Sequence, residues 1–78
     1  MKKQDFFKEL AEYLEFENVN FTEKTDLTSL DGFDSMAIMS LIAFCDEEFS
    51  KKFSAQQLQN ITTVRSLIEL IGIELFED

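Results

Sequence analysis

Residues 26–49 read DLTSLDGFDSMAIMSLIAFCDEEF, a polar stretch that gives way after Asp34 to a helical repeat. From Met36 to Phe49 the residues Ile38, Leu41, Ile42, Cys45 and Phe49 recur every three or four positions, the spacing of one apolar stripe on an amphipathic helix. Asp34 stands where a cap belongs, because its carboxylate can accept a bond from an otherwise unpaired first-turn amide. Gly32, just before it, admits backbone conformations that a side chain resists. Ser50, Lys51 and Lys52 close the stretch with positive charge at the end of the helix dipole that favours it.

Working outward, Phe6, Phe7, Leu10, Tyr13 and Leu14 keep the same period, with Lys8, Glu9, Glu12 and Glu15 on the other face. The spacing predicts a first helix from about residue 3 to residue 16. Glu17 to Leu30 loses the period and reads as a long polar loop tied to the core by Phe21 and Leu27, a length that is usually functional or self-packed. Ser54-Ala-Gln-Gln57 fits the capping box and opens a short third helix to about Asn60. Thr62 or Thr63 caps a fourth, with Val64, Leu67, Ile68, Ile71 and Leu75 on one side, and Gly72 interrupts it as a candidate for its effective end. No segment alternates with the period of a strand, and the chain has no proline. The expected fold is all-α: a small four-helix bundle, three main helices plus one short one, with a long first loop. Each helix alone is marginal in water, so packing of the stripes must hold them.

A length of 78 residues allows one domain with a small core, and an apolar fraction of 45% is that of a folding chain. Sixteen acids against seven basic residues give a formal charge of −9. Such a body repels phosphate backbones and anionic headgroups, so neither nucleic acid binding nor membrane insertion is expected. The same field attracts basic protein surfaces. A solvated acidic surface that merely confers solubility is the plainer reading. One cysteine excludes an internal disulfide framework and favours a reducing compartment. The apolar run after Lys2 and Lys3 is too broken for a signal peptide, and a cytoplasmic monomer is expected. The chain contains no histidine, which removes Ser-His-Asp and Cys-His catalysis and imidazole zinc sites. Cys45, within an apolar stripe, reads as a buried structural thiol.

The glycine loop fails the tests for familiar motifs. With Gly32 at the sixth place of a calcium loop, Leu27 and Ile38 would fall where acidic ligands are required. A nucleophile elbow needs glycines where Phe33 and Ala37 stand. What remains is Ser35 in the first turn of a helix, a hydroxyl beside amides at the positive end of the dipole, which suits an attached phosphate. The plain alternative is that Ser35 is an ordinary first-turn residue or a second cap.

The run from Leu30 through Asp34, Ser35 and Met36, followed by Leu41-Ile42, Asp46-Glu47-Glu48-Phe49 and Ile61-Thr62-Thr63-Val64, resembles the acyl carrier proteins over nearly the whole chain. The resemblance implies a single carrier domain over residues 1–78 with no catalysis of its own. It implies that Ser35 receives 4′-phosphopantetheine from coenzyme A through a phosphopantetheinyl transferase, the arm's thiol then holding acyl groups as thioesters. In family members the acyl chain can shelter between helices; here Leu41, Ile42, Cys45, Ile61, Ile68 and Ile71 could line such a space or be ordinary core. Acyl-transferring or chain-elongating enzymes with basic docking patches are the implied partners. By position, Met36 and Met39 would supply apolar contact and Asp31, Asp34, Glu47 and Glu48 charge. Housekeeping fatty-acid carriers usually have acids where this chain has Ala37 and Ser40, and their third helix often carries acids where this one has glutamines. Fatty-acid or lipid synthesis is the implied pathway, with a specialised acyl or aminoacyl pathway as the alternative. From a different class, an acidic docking module without a prosthetic group would show the same charges.

Overall fold

The computed structural model describes residues 1–16 and 18–77, so Glu17, at the start of the expected loop, lies outside the described residues. Four α-helices follow one another: α1 Lys3–Tyr13, α2 Ser35–Phe49, α3 Ala55–Gln59 and α4 Val64–Ile71. Single 3₁₀ turns occupy Leu27–Ser29 and Ile73–Leu75, and among the described residues no strand forms beyond two isolated bridges. The all-α bundle with one short helix and a long first connection is thus present.

The core is one cluster to which every helix contributes: Phe6 and Leu10, then Ile38, Leu41, Phe44 and Cys45, then Leu58, then Val64, Leu67, Ile68 and Ile71. Phe21 and Leu27 of the first loop are buried in it, as their apolar character in a polar stretch predicts. The inner face of α2 is centred differently from the expected stripe. Ala37 and Phe44 are buried there, whereas Ile42 and Phe49 are only half-buried. Phe44 follows Leu41 by three residues and so faces the same way. Its ring meets Tyr13 edge-on with centroids 5.3 Å apart, and Phe6 at 5.8 Å.

Two helix ends fall short of the sequence pattern. The first helix stops at Tyr13, three residues early, because Glu15 turns left-handed with φ of +62°. Phe16 N–H then donates to the Ala11 carbonyl (2.9 Å) and Glu15 N–H to that of Glu12 (3.3 Å), the crossed pair of bonds that closes a helix. The apolar spacing of Leu14 and Phe16 continues past this point, but the backbone does not. The last helix stops at Ile71, since Gly72 takes φ of +128°, a conformation that suits glycine. Leu75 consequently lies beyond the stripe, 36% exposed, in the following 3₁₀ turn.

The capping readings hold at the other ends. Ser54 and Gln57 form the reciprocal box, Ser54 N–H donating to Gln57 Oε1 at 2.9 Å. Thr63, not Thr62, caps α4 by accepting from Ser66 N–H. The next two first-turn amides of α4 are satisfied by the long loop. Val64 N–H donates to the Thr25 carbonyl and Arg65 N–H to that of Glu23, each at 2.9 Å. In return Leu27 N–H donates to the Thr62 carbonyl at 2.7 Å. The polar loop is therefore stitched to the start of the last helix, which satisfies its backbone groups where it has no secondary structure beyond one 3₁₀ turn.

Candidate functional site

The approach to α2 is a chain of tight turns, and each has a visible cause. Asp26 anchors it: its carboxylate accepts from the Thr28 hydroxyl (2.6 Å), the Thr28 amide (3.0 Å) and the Ser29 hydroxyl (3.1 Å). Those bonds, the Thr28 hydroxyl's first, hold the Asp26 carboxyl below the usual range. Leu30 and Phe33 are half-buried against the core, while Asp31 and Gly32 between them face solvent. Gly32 has φ of +89°, which lets the chain reverse there. Phe33 N–H donates to the Leu30 carbonyl (3.2 Å) and Asp34 N–H to that of Gly32 (3.0 Å).

Asp34 then caps the helix, its Oδ1 accepting from the amides of Met36 (3.1 Å) and Ala37 (3.2 Å). Ser35 is the first helical residue, exposed, and its hydroxyl makes no hydrogen bond among the described residues. The expected group of open amides beside it is not free: Asp34 takes two, and Ile38 N–H donates to the Asp34 carbonyl. What the site offers is an uncommitted primary hydroxyl on a rigid helix end, with a carboxylate one residue away.

The exposed face of α2 runs on from this serine. Met36 is 76% and Met39 67% exposed, large apolar side chains in water, with Ala43 exposed one turn beyond Met39. At about 100° per residue, Asp46 and Glu47 return to the same side two to three turns further on. Glu47 also reaches α1, where its Oε2 accepts from the Tyr13 hydroxyl at 3.1 Å. Partial burial and then this carboxylate raise the Tyr13 phenol's pKa. Glu48 lies a further 100° round and pairs with Glu9 of α1. Desolvation, then the hydrogen bond and charge of Glu48, push the Glu9 carboxyl upward. The structure thus brings Ser35, Met36, Met39 and Glu47 to one face, with Asp34 exposed at the cap and Asp31 exposed in the turn before it, and turns Glu48 aside. Asp46, which the sequence reading passed over, shares the face; its place seven residues beyond Met39 is the signal that could have found it. Ala37 is buried and Ser40 half-buried.

A shallow groove of about 290 Å³ lies beside the serine, lined by Thr28, Phe33, Asp34, Ser35, Ile38, Gln59 and Ile61. Leu41, Cys45, Ile61, Ile68 and Ile71 are buried in the common core, and Ile42 is half-buried against it. Burial pushes the Cys45 thiol up to about 12, so it stays protonated and inert near neutrality. A wider hollow of about 520 Å³ between α1 and residues 19–21 does not include Ser35 in its lining.

Residues 4–71 match the family described as "Phosphopantetheine attachment site". The chain is 29% identical over 80 residues to a curated acyl carrier protein of Coprothermobacter proteolyticus, covering 97% of this chain and 98% of the relative. No solved structure matches the chain significantly.

Proposed function

Because the chain belongs to the phosphopantetheine-attachment family of acyl carrier proteins, its cofactor is phosphopantetheine, and we propose that Ser35 is the residue to which 4′-phosphopantetheine is joined. What supports the assignment is the exposed, unbonded hydroxyl at the first residue of α2, inside the matched span. A phosphodiester needs such a group, and the open groove leaves room for a substituent of this size. The neighbouring residues fit the group without binding its phosphate strongly, since Asp34 already holds the nearest amides. When bound, the arm supplies a thiol that carries acyl groups as thioesters. The protein's own residues orient and present it: Asp34 fixes the helix start, Gly32 shapes the approach, and α2 keeps the serine at the surface.

The chain itself is read as a carrier without catalysis, on which other enzymes act. With no histidine, a base that removes the Ser35 proton during attachment is supplied by the transferase. Partner enzymes dock on Met36 and Met39, with Asp31, Asp34 and Glu47 meeting basic groups. Glu48, turned toward Glu9, contributes to the field more than to contact. Fatty-acid or lipid synthesis is the first pathway reading. A second, a specialised acyl or aminoacyl pathway, is favoured by Ala37 and Ser40, which put no charge where housekeeping fatty-acid carriers usually have acids.

The deciding experiment is incubation with coenzyme A and a broad-specificity phosphopantetheinyl transferase. One prosthetic group is expected by intact mass, located on Ser35 by peptide mapping and absent in Ser35→Ala. Addition that persists in that variant overturns the assignment.

A further inference from the structure

Phe16 lies outside the helix that the apolar pattern would give it, and its position has a purpose in the geometry around Gly32. The left-handed turn at Glu15 ends α1 and throws Phe16 back, with its N–H on the Ala11 carbonyl at 2.9 Å and its own carbonyl accepting from Val19 N–H at 3.1 Å. A non-glycine residue in that conformation carries strain of about 1 kcal/mol. The ring so placed meets Phe21 edge-on with centroids 6.3 Å apart, and Phe21 is buried in the core. The ring also borders the turn before Ser35, on the side of Gly32 where a side chain would project: a Cβ added there would sit 3.6 Å from Phe16 Cε1, an ordinary van der Waals separation. Gly32 is itself exposed and has no side chain with which to hold its place.

We infer that Phe16 is a positioning residue, a buttress under Gly32 that holds the Leu30–Asp34 turn, and through it Ser35, in the conformation presented for modification. This rests on the reading of Ser35 as the attachment site. The ring's proposed action is on the turn at Gly32, not on the chemistry at Ser35. Asp34 fixes the serine relative to α2, whereas Phe16 fixes the preceding turn relative to α1 and the long loop. Without the ring, the turn samples other shapes, and a transferase that needs one of them sees a reduced competent fraction.

The test compares Phe16→Ala, Phe16→Leu and Phe16→Tyr with Phe76→Ala, whose ring packs on Phe6 and Phe49 instead. Two readouts are taken under conditions where each variant remains folded by circular dichroism. The first is amide hydrogen exchange at Phe33 and Asp34, whose N–H groups are bonded within the turn, expected to be about tenfold faster in Phe16→Ala and unchanged in Phe76→Ala. The second is the steady-state kinetics of phosphopantetheine transfer, where the competent fraction acts on apparent affinity: KM rises about fivefold with kcat within twofold. Phe16→Tyr keeps the ring and restores both. Should Phe16→Ala fail to fold, Phe16→Leu, which keeps apolar bulk without the flat ring, carries the comparison. Exchange and KM in the tested Phe16 variant equal to wild type, or matched by Phe76→Ala, overturn the inference. If the wild-type protein accepts no group at Ser35, the attachment reading has failed instead, and the exchange result alone decides the role of Phe16.

Discussion

At the scale of single residues, the site is made by side chains whose backbone roles are stronger than their chemistry. Asp34 accepts two first-turn amides, so Asp34→Ala should cost about 1 kcal/mol and lower the melting temperature by roughly 4–8 °C in a domain of this size. Asp34→Asn, which keeps an acceptor, should recover most of the loss; thermal denaturation by circular dichroism checks both. An equal loss in the two variants would show that charge, not capping, is the contribution. Glu15 offers the opposite case. Glycine adopts its left-handed conformation freely, so Glu15→Gly should stabilise by up to about 1 kcal/mol in urea titration. These two positions also mark the limit of sequence reading at this scale. Asp34 and Gly32 were legible because a capping acid and a permissive glycine before a periodic run have direct meaning. Glu15 was not, because glutamate is a good helix former and its left-handed turn is imposed by the packing of Phe16 and Phe21 after the helix.

Among the elements, the contact between α1 and the C-terminal half of α2 carries the chain's clearest electrostatic tension. Glu9 and Glu48 approach each other, with Asp5 and Glu12 adding repulsion, and the Glu9 carboxyl is raised in the folded protein. A raised carboxyl binds its proton more tightly when folded, so lowering the pH from 7 through its folded pKa should stabilise the protein. Asp26 works in the other direction: its lowered carboxyl supports the fold above its ordinary value of 3.8 and loses that support as pH falls further. The melting temperature should therefore pass through a maximum on the mildly acidic side. Glu9→Gln should raise stability at pH 7 and flatten the acidic rise, and a profile unchanged by that substitution would remove Glu9 as its cause. Helix identity and the order of elements were readable from the three- to four-residue period. The pairing of Glu48 with Glu9 was not, because it depends on how two helices are rotated against each other, which one sequence does not record.

For the molecule as a whole, a formal charge of −9 and few ion pairs among the described residues leave net self-repulsion. The melting temperature should rise with sodium chloride as the charges are screened, and a flat response from 10 mM to 0.5 M would contradict this. The stitching of the long loop to α4 has a different kind of consequence. Bonds from Val64 to Thr25, from Arg65 to Glu23 and from Leu27 to Thr62 join positions more than thirty residues apart. Such closures form late, because the intervening chain must first lose its freedom. In a chain made from its N-terminus, the long loop that leads toward Ser35 gains these bonds only after the last helix has been synthesised and docked. On the proposed attachment at Ser35, the completed fold, rather than the emerging chain, would then be the better substrate for the transferase.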